Sequence, residues 1–292
     1  MNTAIILLVG EQPAPNLLPT RWLKPDVAVL VYTDRTQQVA ENLRSVLIPD
    51  HSCLLCLVPP YNIPEIQGKL QRALSENLPE HALAFNLTGG TKPMALAAFR
   101  LAHLYNAPFS YFQTEGNRSR LYRYIFAEDG IHLERVDDLP DTITLDDYLR
   151  MYLGGYETGG PRNKLERQVM EALLAIRDLE VLWSVRPQEQ GALEIDFFVR
   201  LGNQVGVGEV KAKGAKSGID QINAVAEQRH LGTYVKKFLI SGRPVDRNNK
   251  NLAQAYRIKV IELPSYGESG LLTTGDCQRL VRTVIDHLGG GQ

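Results

Sequence analysis

Only three of the 292 residues are cysteine, which leaves little room for disulfide or zinc chemistry. Cys53 and Cys56 have CxxC spacing, but they lie inside the apolar run CLLCLV, and Cys277 is distant in sequence. A structural zinc site takes four ligands, and no second pair exists. All three therefore read as buried thiols in a reducing compartment. No apolar run approaches the ~18 residues that span a bilayer. The opening MNTAIILLVG is apolar but lacks a basic segment and a small-residue cleavage site, so it reads as a first buried strand. The expectation is a cytoplasmic protein with no membrane partner. Internal repeats and low-complexity segments are also missing, and no GxxxxGK[ST] phosphate loop occurs.

What is present is an ordinary globular composition, 44% hydrophobic and 22% charged, in a chain long enough for two domains with real cores. The net charge of −1 hides an uneven distribution. Residues 1–159 hold 13 Lys/Arg against 18 Asp/Glu, whereas residues 200–260 hold 12 against 4. The second region has the electrostatics of a polyanion-binding surface.

The first 150 residues alternate short apolar runs with helical patterns. Strands are expected at 4–9, 27–32, 52–58, 83–87 and 109–112, with helices near 36–47, 64–77 and 93–105. That rhythm predicts an α/β fold with a parallel sheet covered on both faces, followed by a hairpin over 121–126 and 131–136. Residues 146–153 read as a connecting helix. The stretch GGYETGGPRN, with four glycines and a proline in ten residues, is the best boundary in the chain. The domains are therefore expected at 1–150 and 164–292, with 151–163 as a linker. The second domain reads as helix (164–176), strand (180–186), hairpin, helix (217–231), strand (237–241), short helix, strand (258–263) and final helix (276–288).

Two stretches carry chemistry. The first is EIDFFVRLGNQVGVGEVK, residues 194–211. Gly202-Asn203 suits a two-residue hairpin turn. With Leu201 opposite Gln204, Asp196 falls opposite Glu209, and Lys211 shares their face. Two facing carboxylates repel unless a cation lies between them, and oxygen donors suit Mg²⁺ or Mn²⁺. A lysine beside such a pair suits metal-assisted phosphodiester hydrolysis. A solvated hairpin face carrying a loose ion pair is the plainer reading of the same residue types.

The second stretch is FNLTGGTKPM, residues 85–94. A buried strand ends in a Gly-Gly turn flanked by threonines, and a helix opens with proline in its first turn. Backbone N–H groups at such a turn can cradle an anion, with Lys92 adding charge and Thr88 and Thr91 adding hydroxyls. The loops Gly10-Glu11-Gln12 and Thr33-Asp34-Arg35 end neighbouring strands, where open α/β sheets bind ligands. Candidate ligand-binding residues are Gly10, Glu11, Thr33, Asp34, Thr88, Gly89, Gly90, Thr91 and Lys92. A simple tight strand–helix turn is the alternative.

The spacing of Ile195-Asp196 and Glu209-Val210-Lys211 resembles the PD-(D/E)xK nuclease superfamily, without the proline that often precedes the aspartate. The resemblance implies an acidic residue on a preceding helix, for which Glu166 is placed, and often a glutamine on a later one, for which Gln221 is placed. The tyrosine that some subfamilies carry four residues on is replaced by Val225. Together with NLTGGTKPMALAA, the chain resembles the Card1/Can2-like effectors of type III CRISPR systems, in which an N-terminal CARF domain precedes a PD-(D/E)xK nuclease.

That resemblance implies a Rossmann-like CARF domain binding a cyclic oligoadenylate, most often cyclic tetra-adenylate, across a homodimer axis, and a restriction-endonuclease-like domain. It implies an endonuclease activated by that ligand and dependent on Mn²⁺ or Mg²⁺, acting on DNA or RNA. Asp196, Glu209 and the Val210 carbonyl would hold metal, Lys211 would orient water, and Glu166 and Gln221 would assist. The alternative is a ligand sensor that binds nucleic acid without cutting it. A HEPN-type RNase is a further reading, because Arg282 and His287 keep R-x4-H spacing, but HEPN domains are all-helical and this segment is not.

Overall fold

The computed structural model describes residues 2–188, 194–225, 231–232 and 235–289. Contacts divide the chain into two units, Met1–Ile143 with Arg150–Tyr152, and Thr144–Leu149 with Leu153–Gln292.

The first unit is built on a seven-stranded sheet ordered β3-β2-β1-β4-β5-β6-β7. Its strands are β1 (Thr3–Leu8), β2 (Val27–Tyr32), β3 (Ser52–Leu57), β4 (Ala82–Asn86), β5 (Phe109–Glu115), β6 (Arg118–Ala127) and β7 (Gly130–Asp138). The first five run parallel. β5, β6 and β7 are joined antiparallel, so the sheet is mixed, with a longer meander than the sequence pattern predicts. Helices α2 (Gln37–Leu47), α3 (Ile63–Asn77) and α4 (Lys92–Leu104) fall where apolar periodicity places them. One core joins Ile66, Leu70 and Leu74 of α3, Ala97, Ala98 and Leu101 of α4, and Ile6, Leu8 and Phe85 of the sheet.

Helix α1 (Ala14–Leu23) is absent from the sequence reading, because Pro15 and Pro19 interrupt its pattern. Pro19 lacks the N–H that would bond the Pro15 carbonyl four residues back. The structure supplies a substitute donor, since buried Asn86 Nδ2 donates to that carbonyl at 2.9 Å. Helix α5 (Leu145–Leu153) then contributes residues to both units.

The second unit has a six-stranded sheet ordered β13-β12-β11-β10-β9-β8. The strands are β8 (Tyr156–Glu157), β9 (Glu180–Pro187), β10 (Ile195–Leu201), β11 (Gln204–Lys211), β12 (Lys236–Ser241) and β13 (Ile258–Glu262). β8 to β11 are antiparallel. β11, β12 and β13 are parallel. The glycine-rich stretch expected as a linker is not wholly irregular, because Tyr156 and Glu157 pair with β9 as an edge strand.

Helices α6 (Lys164–Leu174) and α10 (Thr274–Leu288) cover one face, where Leu165, Val169, Leu173, Leu280 and Val284 meet Phe197, Val199, Phe238 and Ile240. Helix α7 (Ala215–Val225) lies against β11 and β12, and its expected continuation over 226–230 is outside the described residues. Short helices α8 (Arg247–Ala255) and α9 (Pro264–Ser269) flank β13.

Candidate active site and candidate ligand cradle

The hairpin β10–β11 adopts the register its turn predicts, with Leu201 opposite Gln204 and Phe197 opposite Gly208. One step further, Asp196 meets Glu209. Because strand residues alternate faces, these two carboxylates point away from the Phe197 core. Both are buried, Glu209 at 1% exposure and Asp196 at 8%. Asp196 Oδ2 accepts a hydrogen bond from the Val210 amide at 2.8 Å. Glu209 is poorly served: Lys211 Nζ lies 2.9 Å from its Oε2, but neither carboxylate oxygen is aligned with a hydrogen-bond donor. Burial and the neighbouring Asp196 push the Glu209 pKa up to about 8, and Lys211 offsets this only in part.

Lys211 is positioned from α7. Gly218 lets that helix approach the sheet, since a Cβ there would sit 2.6 Å from Leu239 and 3.0 Å from Lys211 Cγ. One turn on, Gln221 Oε1 accepts from Lys211 Nζ at 3.0 Å, while its Nε2 donates to the Glu194 carbonyl at 3.5 Å. Gln221 therefore links the lysine to the start of β10.

Glu166 sits in the first turn of α6, on the core side of the sheet. Its carboxylate accepts from the Arg162 amide at 2.7 Å and from Asn163 Nδ2 at 2.5 Å, and its own amide donates back to Asn163 Oδ1 at 3.0 Å. This reciprocal arrangement satisfies donors that a helix start leaves orphaned. Among the described residues no three His, Cys, Asp or Glu side chains are grouped at metal-binding spacing, so the acidic nucleus is the pair Asp196 and Glu209.

A group that the sequence reading passed over adjoins this nucleus. Glu194 lies two residues before Asp196, hence on the same face. Its Oε2 is paired with Arg162 Nη2 and lies 3.3 Å from Arg186 Nε. Its Oε1 accepts from Ser184 Oγ at 2.6 Å and from Arg186 Nη2 at 3.3 Å. The two-residue period flags Glu194, whereas Arg186 and Ser184 become legible only with the β9–β10 register, Ile195 opposite Val185.

In the first unit, the strand order changes direction between β1 and β4, and the loops that follow those strands lie together there. Their contact is backbone on backbone. A Cβ on Gly10 would lie 3.0 Å from the Gly90 amide nitrogen. One on Gly89, whose φ is +97°, would lie 2.4 Å from the Leu8 carbonyl. Only glycine fits such an approach without strain.

Below the turn, Asn86 Oδ1 accepts from the Thr88 amide at 3.1 Å, and Asn16 Nδ2 donates to the Leu8 carbonyl at 3.0 Å. The threonine hydroxyls are used internally. Thr88 Oγ1 accepts from the Phe112 amide at 2.6 Å. Thr91 Oγ1 donates to the Pro60 carbonyl at 2.6 Å and caps α4 by accepting from the Met94 amide at 3.3 Å. These hydroxyls shape the loop, and the groups left to meet a ligand are the turn amides, the α4 N-terminus and exposed Lys92. Thr33 is buried, and its amide donates to Thr36 Oγ1 at 3.0 Å. Asp34 opens a single 3-10 turn, Asp34–Thr36, and is exposed, while Arg35 pairs with Glu11.

The first unit is thus a Rossmann-like sheet with a glycine cradle at its switch point, and the second is a mixed sheet with an acid pair and a lysine on one face. The model of the Card1 CARF domain family matches residues 4–148 of this chain. The whole chain has the fold of Can2 from Sulfobacillus thermosulfidooxidans, a structure solved in complex with cyclic tetra-adenylate. The TM-score is 0.74 at 17% identity, over 99% of this chain and 100% of that one. Protein VC1899 from Vibrio cholerae is equally similar, with a TM-score of 0.74 at 13% identity over 99% and 98%. A type III CRISPR defence DNA nuclease activated by cyclic oligoadenylate matches over 85% of this chain and 47% of its own, with a TM-score of 0.60 and 16% identity. No curated protein sequence matches. Among the described residues no helix is long and apolar enough to cross a membrane.

Proposed function

We propose that this chain is a metal-dependent endonuclease of type III CRISPR defence, gated by a cyclic oligoadenylate such as cyclic tetra-adenylate. The observation that carries the reading is Glu209, a buried carboxylate that faces a second carboxylate and shares the single cation Lys211 with it. Two buried carboxylates are costly unless their charge is matched. One lysine beside two acids leaves oxygen donors in excess, which fits Mg²⁺ or Mn²⁺. Asp196, Glu209 and the Val210 carbonyl are the residues to hold it. When bound, the ion supplies Lewis acidity and a nucleophilic water for phosphodiester hydrolysis.

The chain's own residues do the rest. The Val210 amide holds Asp196 in place. Lys211, tethered by Gln221, holds the attacking water or the phosphate oxygens. Glu166, on the other side of the sheet, would assist only indirectly, by fixing the Arg162 backbone and the start of α6. In the CARF unit, the Gly89-Gly90 turn, the α4 N-terminus and Lys92 receive phosphates of the cyclic ligand, with Gly10, Glu11, Thr33 and Asp34 forming the adjoining rim. A ring with twofold symmetry suits an isologous homodimer that offers the same loops from each subunit. Ligand binding must favour a cutting-competent arrangement, or it would not shift activity.

The test is cleavage of supercoiled plasmid and of labelled single-stranded RNA with Mn²⁺, with and without cyclic tetra-adenylate. Cutting that needs both metal and ligand is the expected result. Tight ligand binding without cutting under any condition would replace the nuclease with a sensor that binds nucleic acid.

A further inference from the structure

The Glu194 group is not used by that mechanism, yet it is built with care. One carboxylate gathers two guanidinium groups and a hydroxyl, and the cluster carries a net positive charge. Arg162 and Arg186 keep about half of their side-chain surface exposed, 52% and 51%, whereas Glu194 keeps 21%. Ser184, whose hydroxyl donates to the carboxylate, is buried and has φ +49°, in the left-handed region that a non-glycine residue rarely adopts. Antiparallel pairing sets Arg186 beside Glu194, and continuing the β10–β11 register sets Lys211 on the other side of Glu194. All three share the face of Asp196 and Glu209. Two arginines converging on planar oxygens is the geometry that recognises carboxylate and phosphate alike.

We propose that Arg162 and Arg186 bind a backbone phosphate of the nucleic-acid strand next to the one that is cut, and that Glu194 occupies the phosphate's place as an internal surrogate until substrate arrives. This inference rests on the nucleic-acid reading of the site. Glu194 would lower basal affinity by competing with the strand. Substrate phosphates would then take over the arginines, swinging them from Glu194 and aligning the strand across Asp196, Glu209 and Lys211.

The experiment measures binding apart from cutting. Fluorescence anisotropy of labelled 20-nucleotide single-stranded DNA and RNA is read in EDTA with cyclic tetra-adenylate, over a salt series. The proteins are wild type, the single variants R162Q and R186Q, the double variant R162Q/R186Q, E194Q, and R177Q as a charge-matched control for each single variant, on an arginine that is 94% exposed just beyond α6. Thermal unfolding verifies that each variant folds. The double variant is expected to bind at least about 10-fold more weakly, with a log–log salt slope shallower by about 1.4 for two lost contacts on a single strand. E194Q is expected to bind about 3-fold or more tightly, and R177Q to change little. Equal affinity in the double variant and the control overturns the proposal while plasmid cutting still upholds the nuclease. Conversely, arginine-dependent binding in a protein that never cuts upholds the phosphate site and removes the hydrolytic reading. Loss of Mn²⁺-dependent cutting in E194Q with unchanged affinity makes Glu194 a metal ligand and also overturns the proposal.

Discussion

The two sites are built on opposite principles. The cradle at the end of β1 and β4 is made of backbone, and its buried polar groups are satisfied: Asn16, Asn86, Thr88 and Thr91 each have a partner within the unit. The cradle is finished before a ligand arrives, and what it presents is a set of amide dipoles with one lysine. The β10–β11 site is made of side chains and is unfinished. Its central carboxylate is buried with one lysine for a partner, and burial and the neighbouring Asp196 push its pKa up to about 8. A preformed site of amide donors and one lysine is suited to receiving an anionic ligand with little reorganisation. A site with two buried acids and one lysine is suited to taking up a cation. The lesson is that buried polar groups in full balance read as architecture, and buried acids in excess of their cations read as chemistry.

The comparison breaks most sharply at Glu209. Changing Glu209→Ala is expected to lower cutting by about 10³-fold or more, since it removes a metal donor and several kcal/mol of transition-state stabilisation. Ligand affinity in the CARF unit, measured by calorimetry with cyclic tetra-adenylate, should stay within about 2-fold. The complementary cut is Gly89→Ala. A methyl 2.4 Å from the Leu8 carbonyl must distort the turn, and ligand affinity is expected to fall at least about 100-fold, with Mn²⁺ binding to the second unit preserved. Lys92→Ala is gentler. It removes one charge-assisted contact, worth about 1.5–3 kcal/mol, so the dissociation constant should rise about 10-fold or somewhat more without loss of Tm.

The smallest effect concerns pH. The folded pKa of Glu209, about 8, lies above its unfolded value near 4.5. Between those values the folded state binds more protons, so this group makes metal-free protein less stable as pH rises from about 4.5 through about 8. Metal-free Glu209→Gln should escape that loss, with a Tm at pH 8 higher than wild type by on the order of 10 °C. A flat difference between the two proteins from pH 5 to pH 8 would deny the buried-acid account.

Much of this was legible in the sequence. The period-2 alternation and the Gly202-Asn203 turn gave the hairpin to the residue, and the Gly-Gly turn before Pro93 placed the α4 N-terminus. α1 was hidden because its two prolines break the helical pattern, and only the tertiary donor Asn86 makes the helix acceptable. The Glu194 group was hidden because it joins the start of β10 to β9 and to the residues before α6, and pairing partners are not local information. The threonine hydroxyls looked free to meet a ligand because a sequence does not show that the Phe112 amide and the Pro60 carbonyl lie next to them. Glu166 matched its expected helix, but the Asn163 cap that engages its carboxylate emerges only from the geometry of the first turn.

The central claim is that the Asp196–Glu209 pair is held open for a divalent cation. Its most direct test is calorimetric titration of Mn²⁺ into metal-free protein at pH 6.5 and pH 8, in two buffers of different ionisation enthalpy. The account predicts binding that tightens about 10-fold per pH unit toward pH 8 and releases about one proton at pH 6.5, because the ion must displace the proton held by Glu209. Glu209→Gln should lose both the tight binding and the proton release. Binding of Mn²⁺ that is unchanged by Glu209→Gln, or no binding to the wild-type protein at either pH, would contradict it.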